Sequence, residues 1–254
     1  MHLFPQRTVS RCLRRPGTVA TLLVSALATT TFGLAVGPGE AGASGAANPT
    51  SLLAAAKAAI AKQGAVHLVV NSKSASSSAI ETVVADLGRK SGVEAISDGT
   101  GSVTILVTPA YGYISGNSSG LTKIVGLTAA EVKKVGKLWI ALKAGSSQYK
   151  GLATDITISS IETVLPNPKG TTLSVDTTTA THLYVLKWTT AATSSTPKLS
   201  SLLTLPVAGV PLPIQEITTA AGSKETITLS KWGEFVRLDP PPAGSTIPFA
   251  KVTG

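Results

Sequence analysis

The chain of 254 residues has one cysteine, Cys12, one methionine and only 4% aromatic residues. With no cysteine beyond residue 12, its main part can form no internal disulfide and has no thiolate nucleophile. Histidine is almost as scarce: beyond His2 there are only His67 and His182. No group of His, Cys and carboxylates has metal-ligand spacing, so neither a metal nor another cofactor is expected. Charged residues make up 14%, and Glu94, Asp98 and Glu225 each stand apart from other acids in the sequence. The nearest thing to a basic run is Lys133-Lys134 with Lys137. Nucleic-acid binding needs a denser stripe with stacking aromatics, so no nucleic-acid partner is expected. No phosphate-cradling loop is present, because Gly99-Thr100-Gly101 falls between strands rather than before a helix.

What is present begins at the N-terminus. Arg7, Arg11, Arg14 and Arg15 precede an uncharged apolar stretch from Thr18 to Val36. Gly37-Pro38-Gly39 and the small-residue run Ala41-Gly42-Ala43 follow. This three-part order predicts a secretory signal over residues 1–43, cut after Ala43. Nineteen apolar residues can also just span a bilayer, but the Ala-Gly-Ala pattern favours cleavage over an anchor. Pro16-Gly17 stand where a twin-arginine signal carries an apolar pair, which argues against that route. Removing the four arginines and Glu40 leaves 18 basic and 12 acidic residues, a net charge of +6. That mild excess fits transient contact with an anionic envelope membrane. A cysteine-free exported domain must rely on its apolar core. Residues 44–243 are long enough for one domain, expected to be monomeric, and 244–254 read as a tail after Pro240-Pro241-Pro242.

The periodicity within this domain predicts an α+β fold. Pro49–Gln63 is Ala-rich with Leu53, Ala56 and Ile60 on one face, a helix pattern. A period of two then takes over at Val66, Leu68 and Val70, and recurs at 81–87, 93–96, Val103, Ile105 and Val107, and 111–114. The middle third turns helical. Leu121, Ile124 and Val125 form a short stripe, and Thr128 with Glu131 has the capping-box spacing. Residues 138–142 read as a strand, and Ser146 or Ser147 caps a further helix through Leu152 and Ile156 toward Leu165. Strands return at 173–177, 182–190, 214–220 and 225–230, with Pro206, Pro211 and Pro213 marking an edge or turn. An antiparallel sheet of eight to ten strands with few, small-residue-rich helices has more apolar face than the helices can fill. Such a sheet either curls tightly or leaves a hollow under them.

Catalysis is not expected. Gly116-Asn117-Ser118-Ser119-Gly120 matches Gly-x-Ser-x-Gly, and Asp155 or Asp176 with His182 would complete a hydrolase order. The elbow belongs to a parallel α/β sheet, however, and this pattern is a meander with His182 opening a strand rather than on a loop. Trp139, Trp188 and Trp232 read as core or rim packing.

The run Tyr111 to Asn117, then Leu121, Gly126-Leu127-Thr128 and Gly136 to Ile140, resembles the middle of actinobacterial LppX/LprG-type lipoproteins. Ile227 to Gly233 followed by the three prolines is similar to that family's closing strand. The resemblance spans about residues 49–243. It implies a LolA-like fold: a curved antiparallel half-barrel with helices on its concave face, holding a lipid or acylated molecule. On that reading the lining comes from Val66, Leu68, Val70, Val103, Ile105 and Val107 of the strands. Leu53, Ile60, Ile124 and Val132 of the helices complete it. Family members carry a lipidated cysteine directly after the signal. Here Ala43-Ser44 stand instead, which implies an untethered, secreted form. A filled-core interaction module and a serine hydrolase at Ser118 are the competing readings.

Overall fold

A computed structural model of the chain describes residues 47–75, 79–192, 197–242 and 244–254. The expected secretory signal and its cut lie outside these residues. Helix α1, Pro49–Lys62, starts where Asn48 Oδ1 accepts the Ser51 amide at 3.0 Å and Pro49 occupies the first turn. Five strands follow as a meander: β1 Ala65–Lys73, β2 Ile80–Gly88, β3 Gly92–Ser97, β4 Ser102–Val107 and β5 Tyr111–Gly116. Two short helices come next, α2 Ser118–Lys123 and α3 Ala129–Val135. Strand β6 Trp139–Lys143, helix α4 Ser147–Asp155 and a 3-10 turn Ile158–Val164 complete this half. The second meander contains β7 Thr172–Asp176, β8 Leu183–Thr190, β9 Leu199–Pro206, β10 Gln215–Ala220 and β11 Ser223–Ser230.

With β12, Thr246–Pro248, these strands join one open, curled sheet in the order β12-β6-β5-β4-β3-β2-β1-β11-β10-β9-β8-β7. Every pairing is antiparallel except β12 with β6. The two meanders meet along a single seam, where His67–Lys73 of β1 pair with Lys224–Ser230 of β11. The α+β half-barrel expected from the sequence is the fold observed.

Two expectations are corrected. The sheet has twelve strands, because β9 and β12 were not legible. In β9 the leucines at 199, 202, 203 and 205 break the simple alternation, and leucine is a modest strand former. Residues 244–254 are not a tail. Thr246–Pro248 form β12 beside β6, and Phe249–Thr253 form helix α5, whose Val252 is fully buried. Lys134 Nζ donates to the carbonyls of Val252 and Gly254 at 3.2 and 3.0 Å, fastening this end to α3.

Helix caps follow the sequence. The Thr128–Glu131 capping box is formed in full, and Ser146 Oγ accepts the Tyr149 amide at 3.2 Å. The helix after β6 is shorter than expected: α4 stops at Asp155 and the chain tightens into the 3-10 turn.

Candidate functional site

The strand registers place every inward side chain. One inward row runs Leu173, Leu186, Leu203, Glu216, Ile227, Val70, Val83, Ile96, Val103 across β7 to β4. It is apolar except at Glu216. The next row toward the end of β1 is Trp188, Ser201, Thr218, Glu225, Ser72, Glu81. That row is a polar rim. Ser72 Oγ donates to Glu225 Oε2 at 3.1 Å, Ser201 and Thr218 share a hydrogen bond at 2.9 Å, and Thr218 Oγ1 donates to Glu216 Oε1 at 3.4 Å.

The helices do not cover the apolar face as one body. A main cluster joins the inward residues of β1 to β6 and β11 to α2, α3, α4 and α5, with Ile60 from the end of α1. A second, smaller cluster packs Leu52, Leu53 and Ala56 of α1 on Leu186, Leu203 and Leu205. Leu165 touches both. In the centre of the sheet Val70 and Val83 face the helices yet keep accessible surface, as do Val132, Leu212 and Trp232 around the main cluster. These side chains pack against the main cluster without being closed over by it.

The ten residues expected to line a cavity all belong to, or pack against, the two apolar clusters. Val66, Leu68, Val103, Ile105, Val107, Ile60 and Ile124 are buried in the main cluster. Val70 and Val132 are half-buried against that cluster, and Leu53 belongs to the second one. Sequence reasoning missed the leucines of β8 and β9 and, above all, Glu94. This residue lies inward between Ala85 of β2 and Ile105 of β4, in the row of Leu229, Leu68, Ile114 and Ile140. It does not stand alone. Burial pushes its carboxyl up to about 8, and the nearby carboxylates of Asp155 and Glu81 add to the effect. It remains half-buried by accessible surface. Gly92, two residues earlier on the same face, is what lets the chain after α4 come close: a Cβ there would lie 2.6 Å from the Ile156 carbonyl oxygen. The signal for Glu94 was parity, since it shares a face with Ile96.

The Gly-x-Ser-x-Gly run has a structural explanation. Asn117 Oδ1 accepts the amides of Gly120 at 2.7 Å and Ser102 at 3.1 Å, and its Nδ2 donates to the Thr100 carbonyl at 2.9 Å. The motif caps α2 and pins it to the start of β4. A Cβ on Gly120 would sit 2.2 Å from the Ser102 carbonyl oxygen. Gly120→Ala is therefore expected to cost about 3 kcal/mol in chemical denaturation, the upper range for overpacking; a loss below 1 kcal/mol would contradict this contact. Ser118 itself is exposed and follows β5, third in the sheet order, whereas His182 precedes β8, eleventh in that order. No hydrogen bond joins them. His182 is in the loop before β8, not in the strand, and its carbonyl accepts the Val207 amide at 3.0 Å. Asp176 is engaged by Thr178, whose hydrogen bonds hold its carboxyl below the ordinary carboxylate range.

His67 lies on the convex face with Nδ1 2.7 Å from Asp86 Oδ1. Trp188 and Trp232 pack at the edges of the two clusters, and Trp232 Nε1 donates to the Pro213 carbonyl at 3.1 Å. Among the described residues no group of three or more His, Cys, Asp or Glu could hold a metal ion. No described helix is long and apolar enough to cross a membrane.

Three solved structures are similar to about three quarters of this chain. LprF from Mycobacterium bovis is 16% identical with a TM-score of 0.49, covering 77% of this chain and 97% of that one. The Mycobacterium tuberculosis lipoprotein LppX is 16% identical at a TM-score of 0.41, covering 75% of this chain and 99% of that one. A DUF1329 family protein from Desulfovibrio piger is 8% identical at 0.30, covering 76% and 96%. LppX is among the lipoproteins that the motifs around Tyr111 and Trp139 resemble. No family model matches the chain, and no curated protein matches it.

Proposed function

We propose that the protein is an exported, non-enzymatic binding protein that holds a lipid or other amphipathic molecule between the concave face of the sheet and its helices. The observation that supports this is the accessible surface kept by Val70 and Val83 on the helix-facing side of the sheet, flanked by apolar rows on one side and by the rim of Ser72, Glu81 and Glu225 on the other. A guest with an apolar chain and a polar head fits that gradient. Each methylene left in water costs about 0.8 kcal/mol, so an acyl chain travels through an aqueous envelope only when enclosed. The rim is rich in hydroxyls and carboxylates and has no cation in its row. This favours a hydroxylated or cationic head over a phosphate. Glu94, protonated at neutral pH by its burial, can donate a hydrogen bond to an ester or amide oxygen deeper in the site.

The test is a binding titration with a fluorescent fatty-acid probe, paired with mass spectrometry of solvent extracts from protein purified from its native host. Val70→Trp and Val83→Trp, which fill the gap from half-buried positions, are expected to weaken probe binding at least tenfold with little loss of stability. Absence of both extracted lipid and probe binding would overturn the reading in favour of an interaction module with a closed core.

A further inference from the structure

The loop after β11 is held firmly on both sides of a residue that touches almost nothing. The Gly233 amide donates to the Ala65 carbonyl at 2.8 Å, and the Glu234 amide to the Lys231 carbonyl at 3.2 Å. Trp232 is anchored in the core. On the other side Val236 is tucked beside Gly88 at the end of β2, its Cγ2 3.8 Å from the place a Cβ would take there. Between these anchors Phe235 is 92% exposed, against 57% for Val210, the next most exposed large apolar residue. The surrounding charge is mostly of one sign. Lys231 and Arg237 flank Phe235 in the chain, and Arg89 and Lys90 follow Gly88. Arg89 Nη2 donates to the carbonyls of Ala61 and Lys62 at 3.3 and 3.2 Å, which brings in the end of α1. The side chains of Lys62, Arg89, Lys90, Lys231 and Arg237 are all exposed, and the acids of the same segments are Asp86 (paired with His67), Glu234 and Asp239, the last 3.3 Å from Arg237.

We infer that this loop is a docking site for an anionic lipid bilayer, with Phe235 entering the headgroup boundary and the basic collar meeting acidic headgroups. An exposed aromatic on a pinned loop loses little conformational freedom on insertion, and cations close to an anionic surface add attraction that salt screens. Charge complementarity selects the occupant: an apolar partner would not need five cations, and a zwitterionic bilayer would not reward them. The site is independent of any guest on the concave face. It sits where β1 begins, whereas the polar rim lies where β1 ends.

The experiment is sedimentation of the protein with vesicles of phosphatidylcholine alone or with 30% phosphatidylglycerol. Binding to the acidic vesicles and not to the neutral ones is expected, with Phe235→Ala and Lys90→Gln each reducing it about tenfold. High salt should release the protein. Phe235→Trp should show new fluorescence quenching by brominated acyl chains beyond that of the wild type, whose nearest tryptophan, Trp232, is anchored against the core. Equal binding to both vesicles, an unaffected Phe235→Ala protein with an unchanged melting temperature, or Phe235-dependent self-association without lipid would each overturn the inference.

Discussion

Removal of residues 244–254 is expected to destabilise the domain by on the order of 5 kcal/mol. Val252 is fully buried, and Ile247 and Phe249 pack on the main cluster. Burying such side chains contributes roughly 1.5–3 kcal/mol each, and the partial exposure of the last two keeps the sum toward its lower end. The segment also covers Ile140 and Val135, both buried, and gives the Trp139 amide its acceptor in the Ser245 carbonyl at 2.9 Å. Domains are stable by only about 5–15 kcal/mol, so the truncated protein should show a much lower urea midpoint or fail to fold. Its bared β6 edge should promote aggregation. A midpoint within experimental error of the full chain would show that the segment is dispensable.

The second large effect concerns Glu94. Its carboxyl is raised from the ordinary 4.5 to about 8, so between those values the folded state binds more protons than the unfolded chain. Stability contributed by the neutral form is therefore intact below pH 4.5 and is lost progressively up to about pH 8. The ceiling on this loss is about 5 kcal/mol, at about 1.4 kcal/mol for each tenfold change in proton affinity. Relaxation and water entry reduce it to about 2–3 kcal/mol. Asp155 at the end of α4 and Glu81 on β2 face the same group and act in the same direction. Glu94→Gln removes the proton dependence while keeping the shape. It should melt within a degree or two of the wild type near pH 4.5, and roughly 5–10 °C higher at pH 8.5. Parallel melting curves across that range would mean that Glu94 is well solvated.

Local signals in the sequence carried most of the architecture. Alternation at Val66–Val70 and Val103–Val107 gave not only strands but the correct inward face, because a one-residue error would have put His67 and Thr104 inside. The Thr128–Glu131 spacing marked α3 for the same local reason. What lay beyond reach depended on distant partners. β12 is three residues long, and its strand character comes from pairing with β6 more than a hundred positions earlier. Glu94 looked isolated along the chain because its two acidic neighbours come from a different strand and a different helix. The Gly-x-Ser-x-Gly run was legible as a turn, but its need for glycine at position 120 came from Ser102, which only the folded sheet brings against it. The loop at Phe235 carried no periodic signal at all.

The seam between β1 and β11 also sets the order in which such a chain can assemble. Within β1 to β5 and β7 to β11, each strand meets the one before it through a short connection, so both meanders can form by local closure. The seam joins residues about 150 positions apart, and closing a loop of that length costs entropy that no nearby contact offsets in advance. Until it forms, two half-sheets expose unpaired backbone at β1 and β11. Export of such a chain in an unfolded state would make this joining step the interval in which chaperone protection matters most.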